Sequence, residues 1–280
     1  MKMHLQILER VIPSPVAWFW RTAARDLLLV FRRFALYAFA IGLTAVFSLN
    51  GQAQEPVPLA RGNSPGEPHH HLKIENEYVR VYYVEVPPHE DTQLHQHDHD
   101  YIYVSLGPSD VVNAILNKPE IHLQLEDGET HFTRGSFAHV ARNLADTPFR
   151  NITIELLEPQ VGARNVCSPV ILGVGFAACD PAPGSWWAMT EFETRGLKLD
   201  YVVLSPNGKY KEKISDLAVL VVGLAGSDIK ISAKGISPKT LHEGGIEWFD
   251  AGSKVRFSSM GTKPAEFLKF TFKRTRQLKK

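Results

Sequence analysis

The sequence predicts an all-β protein built from two similar β domains in tandem. Short runs such as 78–86 and 101–106 are rich in apolar residues that alternate with other side chains, which is typical of strands. The same order of apolar positions and turns recurs further along the chain, so that residues 101–106 align with residues 219–224, 118 positions later. A duplicated unit of this length predicts a repeated β fold, with turns at 207–208 and 244–245 in the second copy.

The first 53 residues have the features of a secretory signal. Arg32 and Arg33 precede an apolar run over 34–49, and small residues follow at Gly51 and Ala53. The run is shorter than the roughly 18 residues expected of a spanning helix. We therefore expect a signal peptide over 1–53 and a periplasmic or secreted protein. An uncleaved membrane anchor through residues 34–49 is the alternative.

Composition narrows the protein class. The chain has 280 residues, 44% of them hydrophobic, and a formal net charge of +1. This length supports an ample core, while the balanced charge and the lack of a dominant basic stripe argue against nucleic acid as a partner. The two cysteines, Cys167 and Cys179, leave open a disulfide or two free thiols.

The strongest functional signal is a histidine-rich stretch that leads into a strand. His95, His97 and His99 alternate directly before the run 101–106. Alternate residues of a strand share one face, and converging imidazoles suit a first-row transition metal. The alternative is a solvated polar loop that happens to be rich in histidine.

A second stretch, 128–143, carries His139 and completes a resemblance. Residues 89–107 and 128–143 together resemble the two motifs of the cupin family, G(X)5HXH(X)3-4E(X)6G and G(X)5PXG(X)2H(X)3N. This chain departs from the pattern at three places: His89 stands where glycine is usual, Asp100 stands where glutamate is usual after a spacer one residue short, and residues 134–136 replace the Pro-X-Gly turn.

The resemblance implies two cupin-type jelly-roll β-barrels in tandem. After a linker over 54–68, the expected domains are a first barrel over 69–160, a connecting segment over 161–190 and a second barrel over 191–275. His69, His70 and His71 open the first barrel, where we expect a solvent-facing strand entry, with a metal role for the triplet as the alternative. For Asn143, a family landmark, we expect turn or strand-end hydrogen bonds.

The resemblance also implies a metal site in the first barrel. The expected ligands are His95, His97, Asp100 and His139, with His99 as the alternative to Asp100. Counting the strand from Asp100 places Asp100, Ile102 and Val104 on the inner face and Tyr101 and Tyr103 on the outer face.

The expected ligands do not recur in the second copy. His95 aligns with Lys213, His97 with Ser215, Asp100 with Ala218 and His139 with Arg256. Cationic side chains would repel a divalent metal. We expect a degenerate second barrel with a structural role, the alternative being an anion pocket formed by Lys213 and Arg256.

The expected function is that of an exported cupin-domain protein that binds a divalent transition metal (Fe, Mn, Ni or Zn) and a small organic molecule. Such a site suits a metal-dependent oxidoreductase of the dioxygenase type. Fold does not select among cupin activities, so a non-catalytic metal- or ligand-binding protein and a structural protein of the cell envelope remain alternatives. The sequence also leaves a homodimer open.

Overall fold

The structure is a computed structural model that describes residues 66–182, 184–213, 217–224, 226–233 and 235–273. The predicted signal segment 1–53 and nearly all of the predicted linker lie outside these ranges. Within them every regular element is a β-strand apart from isolated turns, so the all-β prediction is confirmed. The same residues contain no helix with the length and apolar character needed to cross a membrane.

The first barrel contains nine strands in two sheets. The strands are β1 (His70–Glu75), β2 (Val79–Val86), β3 (His95–His97), β4 (Asp100–Ser105), β5 (Ser109–Ile115), β6 (Ile121–Leu125), β7 (Thr130–Thr133), β8 (Phe137–Asn143) and β9 (Phe149–Leu156). One sheet has the order β1-β2-β9-β4-β7 and the other has the order β3-β8-β5-β6. All of these pairings are antiparallel, as a jelly roll requires.

The second barrel repeats this arrangement. A short strand, β10 (Arg164–Asn165), precedes β11 (Trp186–Glu193), β12 (Leu197–Leu204), β13 (Lys209–Lys213), β14 (Ala218–Gly223), β15 (Ile229–Ala233), β16 (Ile236–Leu241), β17 (Ile246–Phe249), β18 (Lys254–Ser259) and β19 (Ala265–Phe272). The sheet orders are β10-β11-β12-β19-β14-β17 and β13-β18-β15-β16. Apart from the added β10, both orders match those of the first barrel strand for strand, which confirms the tandem repeat.

The two barrels share one hydrophobic core. Val79, Val81, Ile102 and Ile154 of the first barrel are fully buried in the same cluster as Leu199, Leu220 and Phe270 of the second. These residues alternate along their strands with side chains that face the barrel interiors. The central strands of the facing sheets therefore bury side chains on both faces.

The backbone at His89 bears on one departure from the motifs, and a disulfide lies in the segment between the barrels. His89 has a φ of 59°, in the left-handed region that favours glycine, which is why glycine is usual at this motif position. The segment between the barrels contains a disulfide between Cys167 and Cys179, which settles the alternative left open by the sequence. In that segment the carbonyl of Val170 accepts a hydrogen bond from Phe132 N (2.8 Å) and so covers the outer edge of β7.

Candidate metal centre

Four histidines meet inside the first barrel. His95 and His97 of β3 are each 2% exposed, while Gln96 between them faces solvent, as the alternation of a strand requires. His139 of β8 pairs directly with His95 across the sheet. His70 of β1 comes from the other sheet, and one ring nitrogen from each of His70, His95 and His97 lies within 4.8 Å of the others.

Each imidazole in this His cluster is held through Nδ1 by an acceptor outside the cluster. His70 bonds the Glu67 carboxylate (2.6 Å) and His97 bonds the Glu155 carboxylate (3.2 Å). His95 bonds the carbonyl of Gln93 (2.8 Å), and His139 bonds Oδ1 of Asn113 (2.7 Å). Because an acceptor fixes the proton on Nδ1, the lone pair of each ring is on Nε2. This is the arrangement that outer hydrogen bonds impose on metal-ligating histidines.

One contact in the His cluster brings two ring lone pairs close together. Nε2 of His95 and Nε2 of His139 lie 3.1 Å apart, and both rings donate through Nδ1. Two acceptors at this distance repel each other unless a cation or a proton lies between them. Two nitrogens bound about 2.1 Å from one metal at right angles would be separated by about 3.0 Å, so the observed spacing fits neighbouring ligands of a transition metal.

Electrostatics favours the ligating, neutral form of these rings. Burial, and then the nearby charges of His70 and His97, lower the pKa of His95 to about 3. Burial lowers the pKa of His139 well below its usual value, with His95 contributing next. Burial also lowers the pKa of His97, although the hydrogen bond to Glu155 acts in the opposite direction. These three rings are thus unprotonated at neutral pH and able to bind a metal.

The structure does not bring Asp100 to this cluster. Its carboxylate accepts hydrogen bonds from Arg134 Nη1 (2.7 Å), Gly135 N (3.1 Å) and Gln160 N (3.1 Å). Asp100 thus joins β4 to the β7–β8 turn and to the chain that leaves the barrel. The expectation that its side chain points into the barrel is wrong.

The inner and outer faces of β4 are also the reverse of the prediction. Tyr101 stacks on His97 with ring centroids 4.3 Å apart, and both Tyr101 and Tyr103 line the interior. Ile102 and Val104 instead belong to the core shared with the second barrel.

His99 also lies outside the His cluster. It occupies the turn between β3 and β4, where its backbone packs closely against Gly135. A Cβ added to Gly135 would lie 2.4 Å from the carbonyl of His99. For His70 the sequence favoured a solvent-facing strand entry and left a metal role as the alternative; the structure buries its ring in the cluster, so the preferred expectation is wrong. The only sequence signal was Glu67 three residues earlier, a carboxylate placed to hold an imidazole.

A cavity adjoins the His cluster. The empty space there amounts to about 530 Å³, a volume that includes solvent outside the mouth of the cavity. The four histidines and the two tyrosines form part of its wall, and apolar side chains form much of the rest, namely Val84, Val111, Leu123, Leu125, Ala141 and Phe149.

Apolar side chains pack the described interior of the second barrel. Tyr210, Val255, Phe257 and Phe267 are buried in its own hydrophobic core. Arg256 lies between Val255 and Phe257 on β18 and therefore points outward, where it is exposed. The alternative of an anion pocket that uses Arg256 is not supported.

The sequence of the chain matches no family model and no curated protein. Solved structures do match its fold. AerE from Microcystis aeruginosa is 10% identical, with 74% of this chain and 99% of that chain covered at a TM-score of 0.50. A Cupin 2 conserved barrel domain protein from Leptotrichia buccalis is 10% identical, with 73% and 88% covered at a TM-score of 0.50. This chain has the cupin fold. A variant of salicylate 1,2-dioxygenase from Pseudoaminobacter salicylatoxidans is 11% identical, with 69% of this chain and 71% of that chain covered at a TM-score of 0.50.

The cupin motifs now have a structural meaning in this chain. The two motif strands, β3 and β8, pair with each other and bring His95 beside His139. Asn143 donates from Nδ2 to the carbonyls of Val86 (3.1 Å), Pro87 (3.0 Å) and Thr147 (2.8 Å), so the predicted strand-end role is confirmed.

Proposed function

We propose that the first cupin barrel binds one divalent transition metal through His70, His95, His97 and His139. The observation that carries the proposal is the pair of Nε2 lone pairs 3.1 Å apart in a buried cluster. The outer partners add support, because two carboxylates, Glu67 and Glu155, accept hydrogen bonds from ligand rings. Their negative charge favours a dication at the centre of the cluster.

Metal analysis of protein produced without a His tag tests this proposal. We expect close to one transition metal per chain, and a loss of at least about tenfold in metal content for His139→Ala. His122→Ala is the matched control, because His122 is more than half exposed and bonds Asp110 away from the cluster. Unchanged metal content in His139→Ala would rule the site out.

We further propose that the protein acts outside the cytoplasm. The predicted signal over 1–53 and the disulfide Cys167–Cys179 both support this, because disulfides persist in oxidising compartments. N-terminal sequencing of the exported protein should find a start near Gln54. Recovery of residues 1–53 on a membrane-bound protein would favour the anchor instead.

For the chemistry, we propose an oxidoreductase of the dioxygenase type that acts on a small organic molecule. A redox-active metal in this site would bind dioxygen and polarise a chelating substrate. Support comes from the cavity beside the His cluster and from the fold shared with a protein named as a salicylate 1,2-dioxygenase. Four histidine ligands would leave two positions of an octahedral metal open for dioxygen or substrate.

Oxygen uptake separates this proposal from the non-catalytic alternative. The metal-loaded protein is incubated with a panel of small organic compounds while dissolved oxygen and product are followed. Oxygen consumption that depends on both metal and compound supports the oxidoreductase. Binding of a compound without turnover would identify a metal- and ligand-binding protein.

A further inference from the structure

The wall of the cavity, beyond the histidines, restricts the substrate. We infer that the substrate has an uncharged, largely apolar body, and that any anionic oxygen it carries is one that faces the His cluster. This inference rests on the proposed metal site and adds the chemical class of the substrate to it. The observation behind it is that no Lys, Arg, Asp or Glu side chain is among the described residues that line the cavity.

Four polar side chains of the wall form hydrogen bonds with other protein atoms. Thr153 donates its hydroxyl to Asn151 Oδ1 (2.8 Å). Thr92 Oγ1 accepts from Ala141 N (2.9 Å), and Asn113 Oδ1 accepts from His139. These bonds hold the wall in shape and engage the side-chain oxygens of Thr92, Asn113 and Asn151 as acceptors.

A distal carboxylate would therefore enter the cavity at a loss. An ionised carboxylate that leaves water needs a cation or several hydrogen-bond donors in compensation. Here it would face Val111, Leu123, Leu125 or Phe149 instead. A methyl group at the same place gains from contact with these side chains.

Two catechols that differ at one distal position provide the test. 4-Methylcatechol and 3,4-dihydroxybenzoate present the same pair of oxygens to the metal, and one carries a methyl group where the other carries a carboxylate. With metal-loaded protein in a calorimeter, we expect 4-methylcatechol to bind at least about 100-fold more tightly. Equal affinities, tighter binding of the benzoate, or binding of neither compound would overturn the inference.

A designed cation should reverse the discrimination. Leu123 lies on β6, faces the cavity and is partly buried, so Leu123→Arg places a guanidinium within the wall. We expect this variant to bind 3,4-dihydroxybenzoate at least about tenfold more tightly than the wild type does. Leu123→Gln controls for polarity without charge, and Gln124→Arg places the same charge on the exposed face of the same strand. Gln124→Arg should bind both catechols as the wild type does, and Leu123→Gln should gain less affinity for 3,4-dihydroxybenzoate than Leu123→Arg does.

Metal content separates this inference from the proposed function. Protein with stoichiometric metal that fails to discriminate between the two catechols overturns the substrate inference alone. Protein that holds no metal after purification overturns the proposed site and, with it, the inference. A gain in benzoate affinity for Gln124→Arg equal to that for Leu123→Arg would show that overall charge controls binding, which also contradicts the inference.

Discussion

Replacing His70 and Asp100 one at a time should separate metal binding from fold stability. The structure places His70 in the His cluster, whereas it ties Asp100 to Arg134 and to two backbone amides. We therefore expect His70→Ala to lose metal affinity and Asp100→Ala to lose stability.

The magnitudes follow from the contacts. Removing even an outer partner of a ligating histidine costs about 10–100-fold in metal affinity, so removal of the His70 ring should cost at least about 100-fold. Asp100 accepts three hydrogen bonds, at 2.7, 3.1 and 3.1 Å. Bonds to a charged group contribute about 1.5–3 kcal/mol each, but water replaces part of them at the half-exposed Arg134. We expect Asp100→Ala to lower the free energy of unfolding by about 3 kcal/mol.

Two measurements check this pair. Metal content after dialysis against a metal buffer reports affinity, and urea unfolding of the metal-free forms reports stability. If Asp100→Ala keeps the wild-type stability and loses its metal, the carboxylate is a ligand and the geometry described here is wrong. If His70→Ala binds metal as the wild type does, the cluster has three ligands and His70 is a neighbour.

Three further predictions concern the stability of the fold. Removing the disulfide with Cys167→Ser should lower the free energy of unfolding by about 3 kcal/mol. This is the entropic stabilisation expected of a disulfide that closes a loop with a sequence separation of 12. Equal stability of the oxidised and reduced protein in urea would refute this. Burial raises the pKa of Glu191 from 4.5 to about 7, so between these pH values the unfolded chain has released a proton that the folded protein still holds. The stabilising contribution of this proton is therefore complete below pH 4.5 and falls by at most about 3 kcal/mol as the pH rises to 7. Glu191→Gln should remove that fall in urea titrations at pH 4.5 and 7.5, and a constant difference from wild type would contradict it. Gly135→Ala should destabilise the protein by about 2 kcal/mol or more, because its Cβ would lie 2.4 Å from the His99 backbone. Gly261→Ala is the control with ordinary contacts, and equal melting temperatures for the two variants would refute the steric argument.

The sequence predicted the fold and part of the cluster because their signals are local. The alternation His95-Gln96-His97 places both rings on one face of β3 whatever surrounds the strand. The repeat at 118 residues, likewise, is visible without knowledge of the packing. Strand pairing then brings His139 opposite His95, as the spacing of the two motifs implied.

The face of β4 was mispredicted for a physical reason that lies outside the first barrel. The prediction counts the faces of β4 from Asp100, on the expectation that Asp100 is a ligand that points into the barrel. Here Ile102 and Val104 are covered by the second barrel, while Tyr101 and Tyr103 face the cavity. A strand that is buried on both faces gives no clear pattern of inside and outside, so the alternation alone could not fix the register.

The sequence did not favour a metal role for His70 because that role depends on a contact between sheets. It lies at the start of β1, on the edge of the sheet opposite β3 and β8. Its ring is fixed by Glu67, which also accepts a hydrogen bond from the backbone of Gln93 (3.1 Å), just before His95. One carboxylate thus positions a ring from each of two sheets, directly for His70 and through the 93–95 segment for His95.

The second barrel explains how the first one can keep a polar interior. The His cluster and the cavity occupy space that apolar side chains fill in the second barrel, such as Tyr210, Phe257 and Phe267. The first barrel therefore has a smaller hydrophobic core of its own, centred on Tyr82, Val84 and Phe149. The sheet β1-β2-β9-β4-β7 offsets this, because its central strands β2, β9 and β4 carry fully buried side chains in the core that the two barrels share. The filled barrel thus contributes the apolar surface that stabilises the open one.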